Sequence, residues 1–290
     1  MKAFIAAAAG FAASSWYTSA TTSSTSCTTQ TSPFSQSEFR SFPLLDVYDE
    51  SHNTKVFRFA LPEADMPLNL EVASCVSFRY VDKDGTEVVR PYTPLNRSDQ
   101  LGYFDVMVKN YQGSKMGSHL FAMRKGDCID VKGPWVKLPI KSNQYKAIGM
   151  LAGGTGITPM YQVARNILRA PKNTTEITLV YANERKEDVL FGNELNQLME
   201  AYPRFSPYFV LSKAPSDWMG GVGYINKEMI KSLMPAPNRA GDSIILVCGP
   251  PPFMETISGD KDFKSYPPSQ GELKGYLKEL GYMPKMVFKF

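Results

Sequence analysis

The sequence predicts two domains, an antiparallel β-barrel followed by an α/β domain built on a parallel sheet. Three observations predict this. The 290-residue length suits two domains, on the usual scale of roughly 100 to 200 residues each. Short alternating apolar runs separated by turn residues occupy residues 42 to about 134, the pattern of a small barrel. From residue 146 onward, runs suited to strands alternate with runs suited to helices, the rhythm of a parallel sheet covered by helices.

Composition narrows the function classes. An apolar fraction of 43% and a charged fraction of 21% are those of an ordinary globular chain. The net charge of +4, with no long basic block, gives no sign of nucleic acid binding. The four cysteines, Cys27, Cys75, Cys128 and Cys248, form no C-x-x-C pair, and His52 and His119 are the only histidines. No metal site and no dithiol motif is expected, and the thiols read as reduced.

Taken in order, residues 1–36 are expected to lie outside the fold. Lys2 is the only charge before Glu38, an apolar run covers residues 3–13, and a Ser/Thr-rich tract continues to Gln36. The run is shorter than the roughly 20 residues needed to span a bilayer. It reads as a signal h-region, as an acid-poor transit peptide lacking arginines, or as a plain tail.

Residues 55–61 alternate, with Phe57, Phe59 and Leu61 on one face. Asp84-Gly85 separates the apolar runs 75–81 and 86–90 as a hairpin turn. Residues 103–109 put Phe104, Val106 and Val108 on one side, and the barrel is expected to end near Gly133-Pro134, with a connector over 135–144. Beyond it, strands are expected at 147–151, 176–182, 205–212 and 243–247, with helices at 158–168, 192–202 and 226–233. The first helix carries Met160, Val163, Ala164 and Ile167 on one face and Pro159 near its start.

Three segments carry candidate chemistry. Residues 148–160 join an apolar strand to a helix through Gly153, Gly154, Thr155 and Gly156. Glycines there let backbone approach a nucleotide, although such a turn also serves as a plain connection. Arg90-Pro91-Tyr92-Thr93-Pro94 ends a barrel strand with an anion binder, a flat aromatic and a hydroxyl. Arg90 and Tyr92 share a side, and Thr93 points the other way unless the prolines bend the chain. Cys248-Gly249-Pro250 closes the last sheet strand with a rigid turn of small residues, at the sheet edge where ligand crevices form.

These segments, in this order and separation, resemble the NADH-cytochrome b5 reductase family of the ferredoxin reductase-like flavoenzymes. The resemblance runs from residue 42 to 290 and includes Tyr181-Ala182-Asn183-Glu184, Asp188-Val189-Leu190 and an ending similar to the mitochondrial members. It implies an FAD-binding β-barrel domain over 37–138 and an NAD-binding α/β domain over 146–290. By resemblance, Arg90 binds flavin phosphate, Pro91 and Tyr92 pack on the flavin, and Thr93 hydrogen-bonds near N5. Met107, Lys109, Tyr111, Lys115, Met116, Gly117 and Ser118 match the remaining flavin-binding stretch. Gly153, Gly154, Thr155 and Gly156 receive the nicotinamide nucleotide, and Thr158 lies between it and the flavin. Cys248, Gly249 and Pro250 border the nicotinamide, with Thr93 and Cys248 nearest the chemistry. Cys248 is read as a positioning residue, since the sequence offers no base to activate a thiol.

The implied activity is hydride transfer from NAD(P)H to FAD, then release of single electrons to cytochrome b5 or a similar haem protein. Lys115 is a docking candidate for an acidic partner face. A ferric chelate, a quinone or a nitrate reductase type partner is the alternative acceptor. A nucleotide-binding protein without turnover is the reading from another class. By residue type alone, Arg90 suits FMN as well as FAD. A monomer is expected, with membrane association through the N-terminus, at the mitochondrion or alternatively the endoplasmic reticulum.

Two departures from the family pattern stand out. The family commonly has Met-Ser where this chain has Met116-Gly117, the serine following at Ser118. Where many members end a strand with aspartate, this chain has Leu211-Ser212-Lys213. Serine and lysine remove repulsion toward a 2'-phosphate, so NADH use with tolerance of NADPH is expected.

Overall fold

The computed structural model describes residues 32–262, 264 and 268–290. The expected leader, up to residue 31, lies outside the described residues. The alternating half of the chain forms β1 (Arg40–Ser51), β2 (Thr54–Ala60), β3 (Ser74–Val81), β4 (Glu87–Tyr92), β5 (Tyr103–Lys109) and β6 (Cys128–Val136). They make one antiparallel sheet in the order β4-β3-β6-β1-β2-β5. Its free edges meet where Pro94 bridges Val106 and the Leu95 amide donates to the Asp105 carbonyl at 2.8 Å, closing a barrel.

Period-2 alternation sends Phe42, Phe57, Phe59, Phe78 and Phe104 inward, all fully buried. Phe104 stacks on Phe59 at 5.5 Å and meets Phe42 edge-on at 5.4 Å, offset geometries that suit the ring quadrupoles. Helix α1 (Lys115–Ala122) caps this core with Met116 and Leu120.

Three features differ from the sequence reading. β1 was not expected, because its register shifts between Leu44 and Asp46 and between Asp49 and Ser51 break the alternation. β6 extends through Gly133-Pro134 to Val136, so the connector begins later than residue 135. The fold also starts before residue 37: Phe34 is buried against Phe42 and Phe104, and Ser35 accepts from the Gly133 amide at 2.9 Å. One aromatic after a Ser/Thr-rich tract carries no periodicity, yet it fills the barrel end.

The second half forms β7 (Ala147–Gly153), β8 (Glu176–Asn183), β9 (Phe205–Leu211), β10 (Gly221–Val222), β11 (Ser243–Cys248) and β12 (Val287–Lys289). All pair in parallel, in the order β10-β9-β8-β7-β11-β12. β7 is buried along its whole length, as a central strand covered on both faces must be. Helices α2 (Ile157–Arg169), α3 (Gly192–Ala201), α4 (Lys227–Leu233), α5 (Pro251–Ile257) and α6 (Gly275–Glu279) accompany it. α2 buries the expected Met160, Val163, Ala164 and Ile167. α5 and β12 were not expected; Pro251 and Pro252 open α5, where a missing N–H costs nothing.

The segment between α5 and β12 is held by a buried lysine. Lys289, 2% exposed, donates from Nζ to the carbonyls of Asp260 at 3.0 Å and Glu272 at 2.8 Å. Burial pushes this ammonium below the usual lysine range. Asp262 and Ser269 exchange backbone hydrogen bonds at 3.1 and 3.0 Å within the same segment.

The two lobes are tied by polar contacts. Lys109 Nζ meets Asp188 Oδ1 at 2.9 Å, and Tyr111 Oη lies 3.3 Å from Thr155 Oγ1. From α2, Gln162 donates to the Pro94 carbonyl at 3.2 Å and Arg165 to the Leu95 carbonyl at 2.6 Å.

Candidate active site

A cleft of about 630 Å³ runs along the seam between the lobes. The barrel supplies Arg90, Pro91, Tyr92 and Thr93 from the end of β4, Met107 and Lys109 from β5, and Tyr111 and Met116 beyond it. The parallel sheet supplies Thr155, Gly156 and Thr158 after β7 and Cys248, Gly249 and Pro250 after β11. β7 and β11 are neighbours, with Cys248 opposite Ala152, so two carboxyl ends open on one crevice.

The bend at Thr93 has a local cause. β4 stops at Tyr92, and Pro94 leaves the ladder to pair with Val106 on the far edge of the barrel. Thr93 therefore turns into the same cleft as Arg90 and Tyr92 rather than away from it. Gln162 and Arg165 of α2 hold the carbonyls of the next two residues, which fixes this bend against the other lobe. Tyr92 leans on Phe78 with ring centroids 4.9 Å apart, and burial pushes its phenol up to about 12, against the pull of Arg90. It presents a neutral aromatic face.

On the sheet side, the glycine-rich turn is shaped by its neighbours. Gly154 has φ of +53°, a left-handed conformation suited to glycine, and its carbonyl accepts from Tyr181 Oη at 3.0 Å. Tyr181 is fully buried and also accepts from the Leu190 amide at 3.3 Å; burial raises its pKa, so it stays a donor. Gly156 presses on the Cys248 carbonyl, and a Cβ there would also stand 2.8 Å from the Gly249 nitrogen. Burial pushes the Cys248 thiol up to about 12, so it remains protonated and is no nucleophile.

Lys115, Gly117, Ser118, Gly153, Gly154 and Ser212 stand outside the lining of the cleft. Lys115 is exposed, with its ammonium 2.9 Å from Asp82. Gly117 is buried at the start of α1, where Ser114 Oγ accepts its amide at 3.0 Å and would lie 2.7 Å from an added Cβ. That crowding accounts for glycine at this departure, and Ser118 instead faces solvent. At the other departure, the Ser212 amide donates to Asn183 at 3.1 Å and Lys213 forms an ion pair with Glu184. The expected counter-charge is thus already engaged by a carboxylate on the neighbouring strand end.

The chain matches the oxidoreductase FAD-binding domain family over residues 41–139 and the oxidoreductase NAD-binding domain family over residues 150–259. It is 46% identical over 252 residues to NADH-cytochrome b5 reductase 2 of Neurospora crassa, covering 86% of this chain and 72% of that protein. To the Aspergillus niger protein of the same name it is 44% identical over 241 residues, covering 83% and 74%. The chain belongs to the NADH-cytochrome b5 reductase family. The crystal structure of the cytochrome b5 reductase domain of Ulva prolifera nitrate reductase superposes with a TM-score of 0.77 at 27% identity, over 90% of this chain and all of that one.

The cleft of this cytochrome b5 reductase family member fits FAD. The Arg90 guanidinium is exposed at the cleft and, among the described residues, bonded only to the Val89 carbonyl at 2.7 Å, which leaves its fork open to a phosphate. The apolar wall from Tyr92 to Met107 suits a flat ring system. Among the described residues no cluster of three or more metal-ligating side chains occurs. Several cleft residues escaped the sequence reading. Lys137 and Lys261 line it from opposite lobes, and Ser114 and Phe290 line it as well. Ser114 was legible as a helix N-cap, whereas the lysines lie in loops whose course the sequence does not set.

Proposed function

We propose that this chain is an NADH-cytochrome b5 reductase that takes a hydride from NADH and passes electrons singly to cytochrome b5. The observation that carries the proposal is convergence: Thr93 on the bent end of β4 and Cys248-Gly249-Pro250 at the end of β11 open on one cleft. Bound FAD supplies acceptance of two electrons and release of one at a time. Arg90 grips phosphate, Tyr92 offers a flat apolar face, and Thr93 offers a hydroxyl able to donate or accept as a ring nitrogen changes protonation. Gly156 and Gly249 let the turns after β7 and β11 pack closely on each other and on Phe253, which shapes the wall that would orient a dihydronicotinamide toward the flavin.

An anaerobic absorbance titration of residues 32–290 with NADH tests this reading. Bleaching of the flavin band, and its return on adding oxidised cytochrome b5, is the expected result. Flavin that stays oxidised would defeat the hydride step; bleaching without reoxidation by cytochrome b5 would point to another acceptor, such as a quinone or ferric chelate.

We also place this reductase at the mitochondrial membrane as a monomer, attached through its N-terminal segment. The apolar run of residues 3–13 and the acid-poor Ser/Thr tract support this address. No helix among the described residues is long and apolar enough to cross a membrane. Microscopy of a C-terminally tagged protein lacking residues 1–31 tests it: retained targeting would remove the N-terminus as the signal.

A further inference from the structure

Two lysines from opposite lobes stand at the same end of the cleft. Lys137 follows β6 in the barrel, its amide fixed on the Ala73 carbonyl at 2.8 Å. Lys261 comes from the segment after α5, between Asp260, whose carbonyl is gripped by Lys289, and Asp262, which is paired with Ser269. Both side chains are half-buried and neither forms an ion pair among the described residues. Around Lys261 the interacting groups are Lys137, Cys75 and Cys248, with the Phe288 ring 6.0 Å away. Burial and the Lys137 charge push its pKa down. The thiols are themselves held protonated by burial and supply no counter-charge.

Two uncompensated cations held together beside Cys248 create a positive field in a largely apolar cleft. This bears on the nicotinamide because hydride loss converts its neutral dihydropyridine ring into a pyridinium cation. The two phosphates and the adenosine are the same before and after. Resting on the reading that the nicotinamide lies beside Cys248, we propose that Lys137 and Lys261 discriminate between the two redox forms of the nucleotide, disfavouring the oxidised ring and so hastening product release.

The Coulomb repulsion of each lysine, across several ångströms of mixed dielectric, corresponds to roughly a fivefold weakening of pyridinium binding. The test uses oxidised flavoenzyme and three probes: NAD+, the neutral-ring analogue 1,4,5,6-tetrahydro-NAD, and ADP-ribose, which lacks the ring. Binding is read by perturbation of the flavin spectrum or by calorimetry. In the Lys137→Met/Lys261→Met variant, NAD+ binding is expected to tighten about tenfold or more while the other two probes hold within about twofold. Lys261→Arg keeps the charge and should keep the native ratio. Should the double variant lose its flavin, Lys261→Gln alone serves, as does the native enzyme near 1 M salt. There the screening length falls to about 3 Å and the gap between NAD+ and the tetrahydro analogue should narrow.

An unchanged NAD+ affinity overturns the proposal, and so does a parallel shift of all three probes, which would mean that the lysines act on phosphates. If ADP-ribose binds and neither ring-bearing probe gains from its ring, the nicotinamide position itself fails. That result is distinct from a native-like ratio in the variants.

Discussion

The ammonium of Lys109 stands 2.9 Å from the carboxylate of Asp188, joining β5 of the barrel to the turn after β8 of the parallel sheet. Both side chains are largely enclosed, 15% and 8% exposed. Asp188 also accepts from the Arg185 amide at 3.1 Å. Burial raises its pKa, but Lys109 and that amide outweigh the burial and hold the carboxyl below its ordinary range.

Replacing Asp188 by Asn leaves the Lys109 charge buried without a partner and is expected to cost about 3 kcal/mol. The lowered folded pKa fixes the sign of the pH dependence. The unfolded carboxyl binds its proton first, near pH 4, so the contribution is complete above that value and is lost as pH falls through the folded pKa. Thermal melts from neutral to acid pH check it: the native and Asp188→Asn curves should converge in acid.

Gly156→Ala is expected to abolish NADH-driven bleaching while leaving flavin bound. The added methyl meets backbone at Cys248 and Gly249, which cannot rotate away as a side chain can. Flavin content by absorbance and bleaching rate separate the two effects, since the glycine borders only the sheet side of the cleft.

Iodoacetamide at mildly alkaline pH is expected to label Cys128 well before Cys75 or Cys248. Cys128 is exposed and Cys75 is buried. Burial raises the pKa of both Cys75 and Cys248, so their thiolate fraction stays small. Peptide mapping by mass spectrometry gives the order directly.

The Glu184–Lys213 pair is expected to govern tolerance of NADPH. With Glu184 in place, Lys213 is engaged by a carboxylate, and a 2'-phosphate bound beside the pair would meet that carboxylate. Glu184→Gln frees the lysine and should raise kcat/KM for NADPH about tenfold while changing NADH use little. Steady-state rates with each nucleotide at low salt decide it.

Much of this architecture was legible because apolar period reports burial directly. Phe57, Phe59 and Phe104 alternate and fall inside the barrel, and Met160, Val163, Ala164 and Ile167 form the buried face of α2. β1 and Phe34 were not legible, since a bulged strand and a single aromatic leave no period. At the site, glycines and prolines announced the turns after β7 and β11. Lys137, Lys261 and the pairing of Glu184 with Lys213 depend on which loops meet across the seam, and local sequence does not encode that meeting.

Phe34 sets a limit on N-terminal truncation. Its ring completes the aromatic packing of the barrel, and the adjoining backbone is engaged too, Ser32 and Pro33 accepting from Arg40 at 3.1 and 3.3 Å. A truncation that spares this packing must therefore end before residue 32. Removal of Phe34 would unplug the barrel end and leave a first lobe that opens at lower temperature. The length of N-terminal segment that can be removed is thus set by the packing of the barrel end.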